Sequence, residues 1–436
     1  MSFRTYLNRL DTSGELLRLK KSCSKDLTIA GVLSQASPSP IFIESVSGNQ
    51  FTVAGNLFCS KEMFARYFGI KPCEIIPFIS KAISSPSPCQ EITSAPCQEV
   101  IETGIDLDSL PILFHCSGDG GPYISSGVFI TSHPKFGQNL DFHRAMQFSK
   151  DKMAIRVVQS RHFDRYLQEQ RTLDVAICIG NSPNVLAAAA TSVAIGVNEL
   201  EIANSMEPVP VVKAITSNLL VPAECEFVIE GTVSVDERHS EGPFIDLTET
   251  YDIIRQEPVF TVKAITHRRD AIWHALLPGG LEHKLLMGMP REPTIFQKVN
   301  EVVRCLDVSI NPGGCSWLHT VIQIEKHHEE DGKKAILAAF AGHSSCKHVF
   351  VVDHDIDIYD PLQVEWAMAT RFQADRDLVI LPRSPGSSLD PSADAGTHMT
   401  TRAGFDLTAP LETAGKSFSK AAFPQVDLKN LLGDPR

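Results

Sequence analysis

The spacing of apolar and polar positions changes along the chain and divides it into three regions. In the first region, apolar positions recur at helical spacing over residues 3–19 and alternate over residues 41–46 and 51–53. This pattern predicts an amphipathic helix followed by a hairpin. Residues 84–96 contain three prolines and few side chains that could pack. We therefore expect an α/β segment and a linker over residues 1–100.

Strand-like runs dominate the next region, residues 101–291. Six runs rich in β-branched residues and bounded by turn residues predict strands at residues 128–131, 154–158, 175–179, 228–235, 259–265 and 271–276. The turn at residues 267–270 predicts that the last two runs form a hairpin. The Ala-rich run at residues 185–190 is the exception, because it follows Pro183 and Asn184 and predicts a helix.

The last region, residues 292–436, alternates between the two patterns. The predicted elements are helices over residues 292–305 and 333–340 and strands over residues 319–324 and 349–352. Asp360 followed by Pro361 predicts the capped start of a further helix. This alternation predicts a separate α/β domain, and the tail after Pro382, rich in Gly, Ser, Asp and Thr, predicts loop.

Composition narrows the class of protein. A chain of 436 residues is long enough for two or three domains. Its 43% hydrophobic and 21% charged residues are ordinary globular values and exclude wholesale disorder. The formal charge of −12 argues against a nucleic-acid partner, because an acidic surface repels phosphate backbones. A local basic pocket for a small phosphate is compatible with this charge.

Targeting signals are not evident in the sequence. The start, MSFRTYLNRL, lacks the apolar stretch of a secretory signal. The most apolar internal run, residues 185–197, is shorter than the roughly 20 residues that cross a membrane. The eleven cysteines include no C-x-x-C pair, which is typical of reduced and mostly buried thiols. These features predict a cytoplasmic protein without a membrane partner.

Candidate ligands for a hard metal ion occur in three segments of the middle region. Asn139 lies in GQNLDFHRAM, five residues before Arg144. His162 stands where a predicted strand ends, and Glu241 opens EGPFID after another. An amide oxygen, an imidazole and a carboxylate together suit Mg²⁺ or Mn²⁺. By spacing alone, however, ordinary polar loop residues are the more frequent explanation.

A candidate proton donor is Glu282, in the segment LLPGGLEHKLLMG. A carboxylate beside Leu281, Leu285 and Leu286 is suited to general acid catalysis. The alternative is a glutamate at a helix start, where the helix dipole favours it. The sequence has no G-x-G-x-x-G, Walker, H-E-x-x-H or G-x-S-x-G pattern, so dinucleotide, nucleotide, zincin and α/β-hydrolase interpretations lack support.

An ordered set of motifs carries a family resemblance from about residue 107 to residue 408. The motifs are GDGGPYISSGVFITSHP, NLDFHR, RH, EGPF, GLEH, VVDHDIDIYDPLQVEWAMATR and SSLDPSADAGTHMTTRAGFDLT. Each piece alone is weak, but their order resembles the UbiD family of decarboxylases, which use prenylated flavin mononucleotide (FMN).

The resemblance implies a fold of the α+β class. It implies a central split β-barrel that binds prenylated FMN, over residues 101–291, and a C-terminal α/β oligomerisation domain over residues 292–436. Family members assemble as dimers or hexamers, so the resemblance implies a homodimer or homohexamer. It also implies a flavin prenyltransferase as the supplier of the cofactor.

The resemblance also implies roles for individual residues. Arg144 matches the arginine that faces the substrate carboxylate, Glu282 matches the acid that protonates carbon after CO₂ leaves, and Glu241 belongs to the same catalytic set. Asn139, His162 and Glu241 match the family positions that hold a Mn²⁺ ion. In the family this ion bridges to the flavin phosphate, commonly with K⁺ close by. The implied flavin-binding residues are Asn139, Arg144, Arg161, His162, Glu241 and Arg402.

The chain departs from the family pattern at several positions. Leu281 stands where many members have Asp, so the second carboxylate near Arg144 is not obvious, and Asp246 is the candidate for it. Asp141 and His143 are polar where relatives often carry small or apolar residues, which predicts an unusual substrate pocket. Arg402 replaces the family's usual lysine near the phosphate.

The resemblance implies non-oxidative decarboxylation of an α,β-unsaturated or (hetero)aromatic carboxylic acid through a covalent adduct with prenylated FMN. In this hypothesis Arg144 holds the carboxylate and Glu282 delivers the proton. Two other classes stay open at this point. One is a catalytically silent binding or assembly subunit, and the other is a metal-assisted hydrolase that uses the candidate metal ligands.

Overall fold

The computed structural model describes residues 2–102, 104–412, 414–421 and 423–427. The helices are α1 Phe3–Thr12, α2 Thr28–Ala36, α3 Lys61–Phe68, α4 Ile75–Ser84, α5 His162–Gln170, α6 Pro183–Ala189, α7 Glu199–Met206, α8 Leu281–Gly288, α9 Glu292–Asn300, α10 Asp331–Gly342 and α11 Pro361–Arg371.

The strands of the first two regions are β1 Leu17–Leu19, β2 Ile41–Ile43, β3 Thr52–Gly55, β4 Glu91–Ile92, β5 Val100–Glu102, β6 Tyr123–Ile124, β7 Val128–His133, β8 Gly137–Phe142, β9 Ala145–Gln147, β10 Lys152–Ile155, β11 Thr172–Ile179, β12 Val211–Lys213, β13 Leu220–Pro222, β14 Phe227–Glu241, β15 Phe244–Ile245, β16 Tyr251–Asp252, β17 Arg255–His267 and β18 Ile272–His274. Those of the last region are β19 Cys305–Ile310, β20 His319–Ile324, β21 His348–Asp353, β22 Leu378–Pro385 and β23 Met399–Asp406.

The central sheet is antiparallel and follows the order β6-β9-β10-β17-β14-β11-β7-β8, with β5 also paired to β17. Its inner strands bury both faces. In β11, Ala176 and Cys178 pack into one apolar core, whereas Val175 and Ile177 pack into the other. Burial on both faces explains why these strands read as continuous apolar runs rather than as an alternating pattern.

The predicted hairpin across residues 267–270 is wrong. The end of β17 already pairs on one edge with β14, through Phe227 and His267, and on the other edge with β5. No edge is left for β18, which instead pairs in parallel with β3 of a four-stranded N-terminal sheet, β1-β2-β3-β18. This crossing brings His274 and α8 to the junction of the two sheets.

The predicted helix over residues 3–19 is too long. Helix α1 buries Phe3, Tyr6, Leu7 and Leu10 and ends at Thr12. Gly14 then adopts φ +73°, a left-handed conformation that glycine takes without strain and that turns the chain. The last three residues of the predicted helix form β1, which pairs with β2.

The last region forms a five-stranded sheet in the order β19-β20-β21-β23-β22. The prediction of loop after Pro382 is wrong for β23, which lies between two other strands. The strand is hard to recognise because Gly404 is needed there: a Cβ atom on it would lie 2.1 Å from Cγ2 of Ile336. Residues 413, 422 and 428–436 of the predicted tail lie outside the described residues.

Other predicted elements are confirmed, and so is the α+β class. They include the β2–β3 hairpin, five of the six predicted strand segments of the middle region, α6, β20, α10, β21 and α11. The predicted strand at residues 154–158 overlaps β10 only at residues 154–155, and the predicted helix over residues 292–305 ends at Asn300, before Cys305 begins β19. Asp360 caps α11, since its side chain accepts a hydrogen bond from the backbone N–H of Leu362 at 3.0 Å. Across the described part of the chain, no helix has the length and apolar character needed to cross a membrane.

A buried carboxylate connects α7 to the central sheet. Oε2 of Glu199, in the first turn of α7, accepts a hydrogen bond of 2.9 Å from the backbone N–H of Leu140 in β8. Burial raises the pKa of Glu199 from 4.5 to about 8, because a charge there is poorly solvated. The folded protein therefore binds a proton more tightly at this position than the unfolded chain does.

We expect Glu199→Gln to stabilise the protein increasingly as the pH rises from about 4.5 to about 8. In wild type, stability falls across this window because the unfolded chain ionises Glu199 before the folded state does. The variant lacks this loss, so its advantage in the free energy of unfolding should reach about 1 kcal/mol or more at pH 8. Denaturant unfolding at pH 5 and pH 8 measures it.

Glu201→Gln is the matched control, because it removes a carboxylate from the same helical turn without touching the buried position. An advantage of Glu199→Gln that is the same at pH 5 and pH 8 would contradict the assignment of a raised pKa to Glu199.

Candidate active site

A cavity of about 790 Å³ lies where the central sheet, α6, α8 and loops of the last region meet. This volume is in the range of cavities that hold a cofactor and a small ligand. Most lining residues come from within the segments 139–144, 156–168, 186–193, 244–258, 274–291, 344–345 and 385–389, and Ser125, Ser126, Glu199, Arg238, Trp317 and His398 complete the lining.

Arg144 lies in this cavity within a set of carboxylates that we call the acidic collar: Glu241, Asp246 and Asp252. Nε and Nη2 of Arg144 donate to the two oxygens of Glu241 at 2.8 and 3.0 Å. Nη1 donates to Asp246 at 2.6 Å, and Nη2 also donates to Asp252 at 2.8 Å. The guanidinium is thus fixed in position by charge-assisted hydrogen bonds.

The collar is supported from behind. The hydroxyl of Tyr123 donates to Oε1 of Glu241 at 3.0 Å and accepts a hydrogen bond from the backbone N–H of Gly242. Gly242 has φ +97°, and a Cβ on Gly120 would lie 2.2 Å from its carbonyl oxygen. The two glycines therefore allow the close approach that places Glu241 against Arg144.

The acidic collar identifies the carboxylates that surround Arg144, which the sequence left open. The contact predicted for Asp246 is present, and Asp252 is a further partner that sequence reasoning missed. Asp252 also accepts a hydrogen bond from Arg255 at 2.6 Å. Burial opposes ionisation of Asp252, but Arg255 and Arg144 together hold its pKa below the ordinary value. No motif in the sequence marks Asp252, which is identified only by the β15–β16 pairing that sets Phe244 opposite it.

Asn139 and His162, two of the predicted metal ligands, lie side by side. Oδ1 of Asn139 is 3.1 Å from Nδ1 of His162, and Nδ2 of Asn139 is buried without a hydrogen-bond partner. Burial lowers the pKa of His162, which keeps a ring nitrogen unprotonated. An amide oxygen, a neutral imidazole and an unpartnered amide N–H fit a hard cation beside an anionic oxygen.

The third predicted metal ligand, Glu241, is engaged elsewhere in this structure. Both of its oxygens bond Arg144, one of them also bonds Tyr123, and no hydrogen bond joins it to Asn139 or His162. Within the described ranges, no group of three or more His, Cys, Asp or Glu side chains is arranged to hold a metal ion. The metal site therefore stays a prediction, with two of its ligands adjacent.

Glu282 is buried beside the cavity rather than at its surface. Its Oε1 lies 3.0 Å from Nε2 of His274, which does line the cavity. The second oxygen of Glu282 and Nδ1 of His274 are both buried without a partner. Each member of the Glu282–His274 pair thus keeps one polar atom that is free to exchange a proton or accept a hydrogen bond. His274 was missed at the sequence level because it lies inside an otherwise apolar strand.

The remaining predicted residues are distributed around the cavity. Asp141 and His143 line it together, with Oδ1 of Asp141 2.9 Å from Nε2 of His143. Arg161 lines it as the residue before α5. Arg402 is not part of the lining, but its Nη2 donates to the backbone carbonyls of Ser344 and Pro385. It therefore positions two loops that do line the cavity.

Family models match three consecutive parts of the chain. The 3-octaprenyl-4-hydroxybenzoate carboxy-lyase N-terminal domain matches residues 7–83, the Rift-related domain of the same carboxy-lyase matches residues 90–281, and its C-terminal domain matches residues 284–407. Together the matches extend over most of the chain.

Named relatives resemble the chain along almost their whole length. An anhydromevalonate phosphate decarboxylase from Methanosarcina mazei is 39% identical over 430 residues, which is 98% of this chain and 100% of that protein. An anhydromevalonate phosphate decarboxylase from Methanocaldococcus jannaschii is 41% identical over 408 residues, which is 92% of this chain and 96% of that protein.

Solved structures share the whole architecture. The UbiD-class enzyme HmfF from Pelotomaculum thermopropionicum, in complex with FMN, matches with a TM-score of 0.95 and 36% identity and covers 99% of this chain and 100% of its own. An evolved dimeric form of that enzyme, in complex with prenylated FMN (prFMN), gives 0.91 and 34%, with 99% of each chain covered. The chain therefore belongs to the UbiD carboxy-lyase family.

Proposed function

We propose that this protein is a decarboxylase that uses prenylated FMN and removes CO₂ from anhydromevalonate phosphate, a phosphorylated unsaturated acid. The observation that carries the proposal is Arg144, a buried guanidinium that lines the cavity and is fixed there by the acidic collar. The relatives from the two methanogenic archaea support the substrate, and the FMN and prFMN complexes of HmfF support the cofactor.

Arg144 has a donor left for a substrate carboxylate. A guanidinium has five N–H donors, and the collar uses four of them. One N–H of Nη1 therefore remains, and it allows a single hydrogen bond to the substrate carboxylate. A bidentate contact would require Asp246 to release its bond to the same nitrogen.

The charge of the collar favours loss of CO₂. Glu241, Asp246 and Asp252 carry one more negative charge than Arg144 and Arg255 neutralise. A carboxylate bound at Arg144 lies near this excess negative charge, whereas the departing CO₂ is neutral. The collar therefore destabilises the bound substrate carboxylate more than it destabilises the transition state, in which negative charge is moving away from the departing CO₂.

When bound, prenylated FMN supplies the sink for the electron pair that remains on carbon as CO₂ departs. We infer that Asn139 and His162 would hold a divalent cation, Mn²⁺ in our hypothesis, which would neutralise charge on the flavin phosphate, and that K⁺ would bind as a second cation. Arg161 lies next to His162 and provides a positive charge for the same phosphate. Glu241 completes the metal ligands only if it gives up one contact with Arg144.

Glu282 supplies the proton in this proposal. Its carboxyl group bonds His274, whose ring lies at the cavity surface, and its second oxygen has no partner. A protonated Glu282 can deliver its proton directly after a side-chain rotation or through His274. Because both side chains are buried, bulk water does not compete for this proton.

Assembly and cofactor supply remain predictions. We infer a homodimer or homohexamer formed through the last region, and a flavin prenyltransferase as the source of the cofactor. Neither a silent assembly subunit nor a metal-assisted hydrolase requires a fixed guanidinium together with a buried acid at the same cavity, so the proposal favours the decarboxylase over both.

The proposal predicts that protein produced with a flavin prenyltransferase and Mn²⁺ carries prenylated FMN and releases CO₂ from anhydromevalonate phosphate. Native mass spectrometry measures the cofactor, and a coupled assay measures CO₂. Asn139→Ala and His162→Ala should lose the flavin. Folded protein without flavin would favour the hydrolase, whereas flavin-loaded protein that releases no CO₂ from any unsaturated acid would favour the silent subunit.

Arg144→Ala should destabilise the protein by about 3–5 kcal/mol at pH 7, because it leaves Glu241 and Asp246 without their cation, while Asp252 keeps only Arg255. Denaturant unfolding measures the loss. Arg304→Ala is the control, since its pair with Glu325 is exposed and should be worth less than about 1 kcal/mol. Equal effects of the two variants would refute the structural importance of the collar.

Glu282→Gln should lower kcat by about 100-fold or more, because it preserves the shape and a bond to His274 but removes the transferable proton. Flavin content and KM should change little. Glu301→Gln, which alters an exposed carboxylate paired with Lys298, is the control. If kcat of Glu282→Gln stays close to that of the control, another group donates the proton.

A further inference from the structure

The charges that line the cavity are unevenly partnered. Beyond the collar, each lining carboxylate has a hydrogen-bond or ionic partner: Asp141 with His143, Asp164 with the N–H of Ser160, Glu199 with the N–H of Leu140, and Glu257 with Arg156. Two lining arginines differ. In the part of the chain that is described, the side chains of Arg161 and Arg291 make no hydrogen bond or ion pair.

Arg291 is the more unusual of the two because it is partly buried, whereas Arg161 is exposed. It joins the end of α8 to α9, and its Nε is buried without a partner. Its guanidinium lies over the ring of Trp317, 5.5 Å from the ring centre. Burial, together with the charge of Arg161, lowers the pKa of Arg291 to about 10, so the group stays charged at neutral pH.

A partly buried cation whose Nε is enclosed without a hydrogen-bond partner costs folding free energy. The aromatic contact with Trp317 recovers only part of that cost. The neighbouring His343 is neutral: it donates to the carbonyl of Trp317, and burial together with the charges of Arg291, Arg161 and Arg402 lowers its pKa to about 3. This side of the cavity therefore has the charge that an anionic ligand would neutralise.

Neutral donors also line the cavity, and one of them lies beside Trp317. Ser344 and Ser345 follow α10, and Ser387 and Ser388 follow β22. Nε1 of Trp317 donates to Oγ of Ser387 at 3.1 Å, which leaves the hydroxyl proton of Ser387 free to donate. Arginine together with hydroxyl groups is a donor set that suits the oxygens of a phosphate monoester.

We propose that Arg291, with Trp317 behind it and Ser387 beside it, forms a subsite for a phosphate monoester, and that the group it binds is the phosphoryl group of the substrate. The inference rests on the proposed function, which requires a substrate with a carboxylate and a phosphoryl group. Arg144 takes the first, and Arg161, next to His162, remains for the phosphate of the cofactor. Arg291 is then the cation left for the second.

The test compares wild type with Arg291→Gln and Arg291→Lys. Calorimetry on protein loaded with FMN instead of the prenylated flavin measures Kd without turnover, for anhydromevalonate phosphate and for the same acid without the phosphoryl group. Arg291→Gln should raise Kd for the phosphorylated acid by about 10- to 100-fold and leave Kd for the unphosphorylated acid and the flavin content unchanged. Arg291→Lys should fall between wild type and Arg291→Gln.

Arg165→Gln is the matched control, because Arg165 is exposed and already paired with Glu169. Loss of flavin from Arg291→Gln would assign Arg291 to the phosphate of the cofactor and overturn the proposal. So would an unchanged Kd for the phosphorylated acid, or wild-type protein that binds the two acids equally.

The experiment separates this subsite from the proposed function. If wild type binds the phosphorylated acid in a manner that depends on Arg291 but the prenylated-flavin enzyme releases no CO₂ from it, the subsite stands and the decarboxylase substrate is wrong. If CO₂ is released and KM does not depend on Arg291, the subsite is wrong and the function stands.

Discussion

The guanidinium of Arg144 connects parts of the central domain that are far apart in sequence. It lies at the turn between β8 and β9, and it bonds Glu241 at the end of β14 and both Asp246 and Asp252 around the β15–β16 hairpin. The free-energy cost of burying the guanidinium is offset only by its carboxylate partners, and theirs by the guanidinium, since an ion buried without a partner strongly destabilises a fold. Folding of the domain therefore fixes the arginine before any ligand binds.

The local sequence predicted where strands occur better than it predicted which strands pair with each other. A run such as residues 271–276 is recognisable as a strand because it is mostly apolar and bounded by turn residues, but its neighbour is decided by which edge is free. Both edges of the end of β17 are occupied, so β18 crosses to the N-terminal sheet, where Trp273 packs against Phe227. Conversely, β23 was missed because close packing on α10 requires a glycine in mid-strand.

The residues of the candidate site also fall into two groups, those that the sequence identified and those that only the fold reveals. Asn139, Arg144 and His162 were identified because the motifs that contain them occur in a recognisable order. Asp252 and Arg291 carry no such signal. Asp252 is notable only once hairpin pairing directs it toward Arg144, and Arg291 is notable only because it lacks a partner, which is a property of the folded structure and not of its neighbours in sequence.

Two arginines that line the cavity place opposite demands on a ligand. At Arg144 the collar leaves one N–H and an excess of negative charge, so this arginine accepts a single carboxylate and its surroundings oppose a more highly charged group. At Arg291 a cation without an acidic partner in the described structure favours a dianion. A molecule with a carboxylate at one end and a phosphoryl group at the other satisfies both arginines in only one orientation. The reversed orientation would place the dianion against the collar and leave Arg291 with the weaker charge. The distribution of charge thus selects the orientation in which the carboxylate meets Arg144.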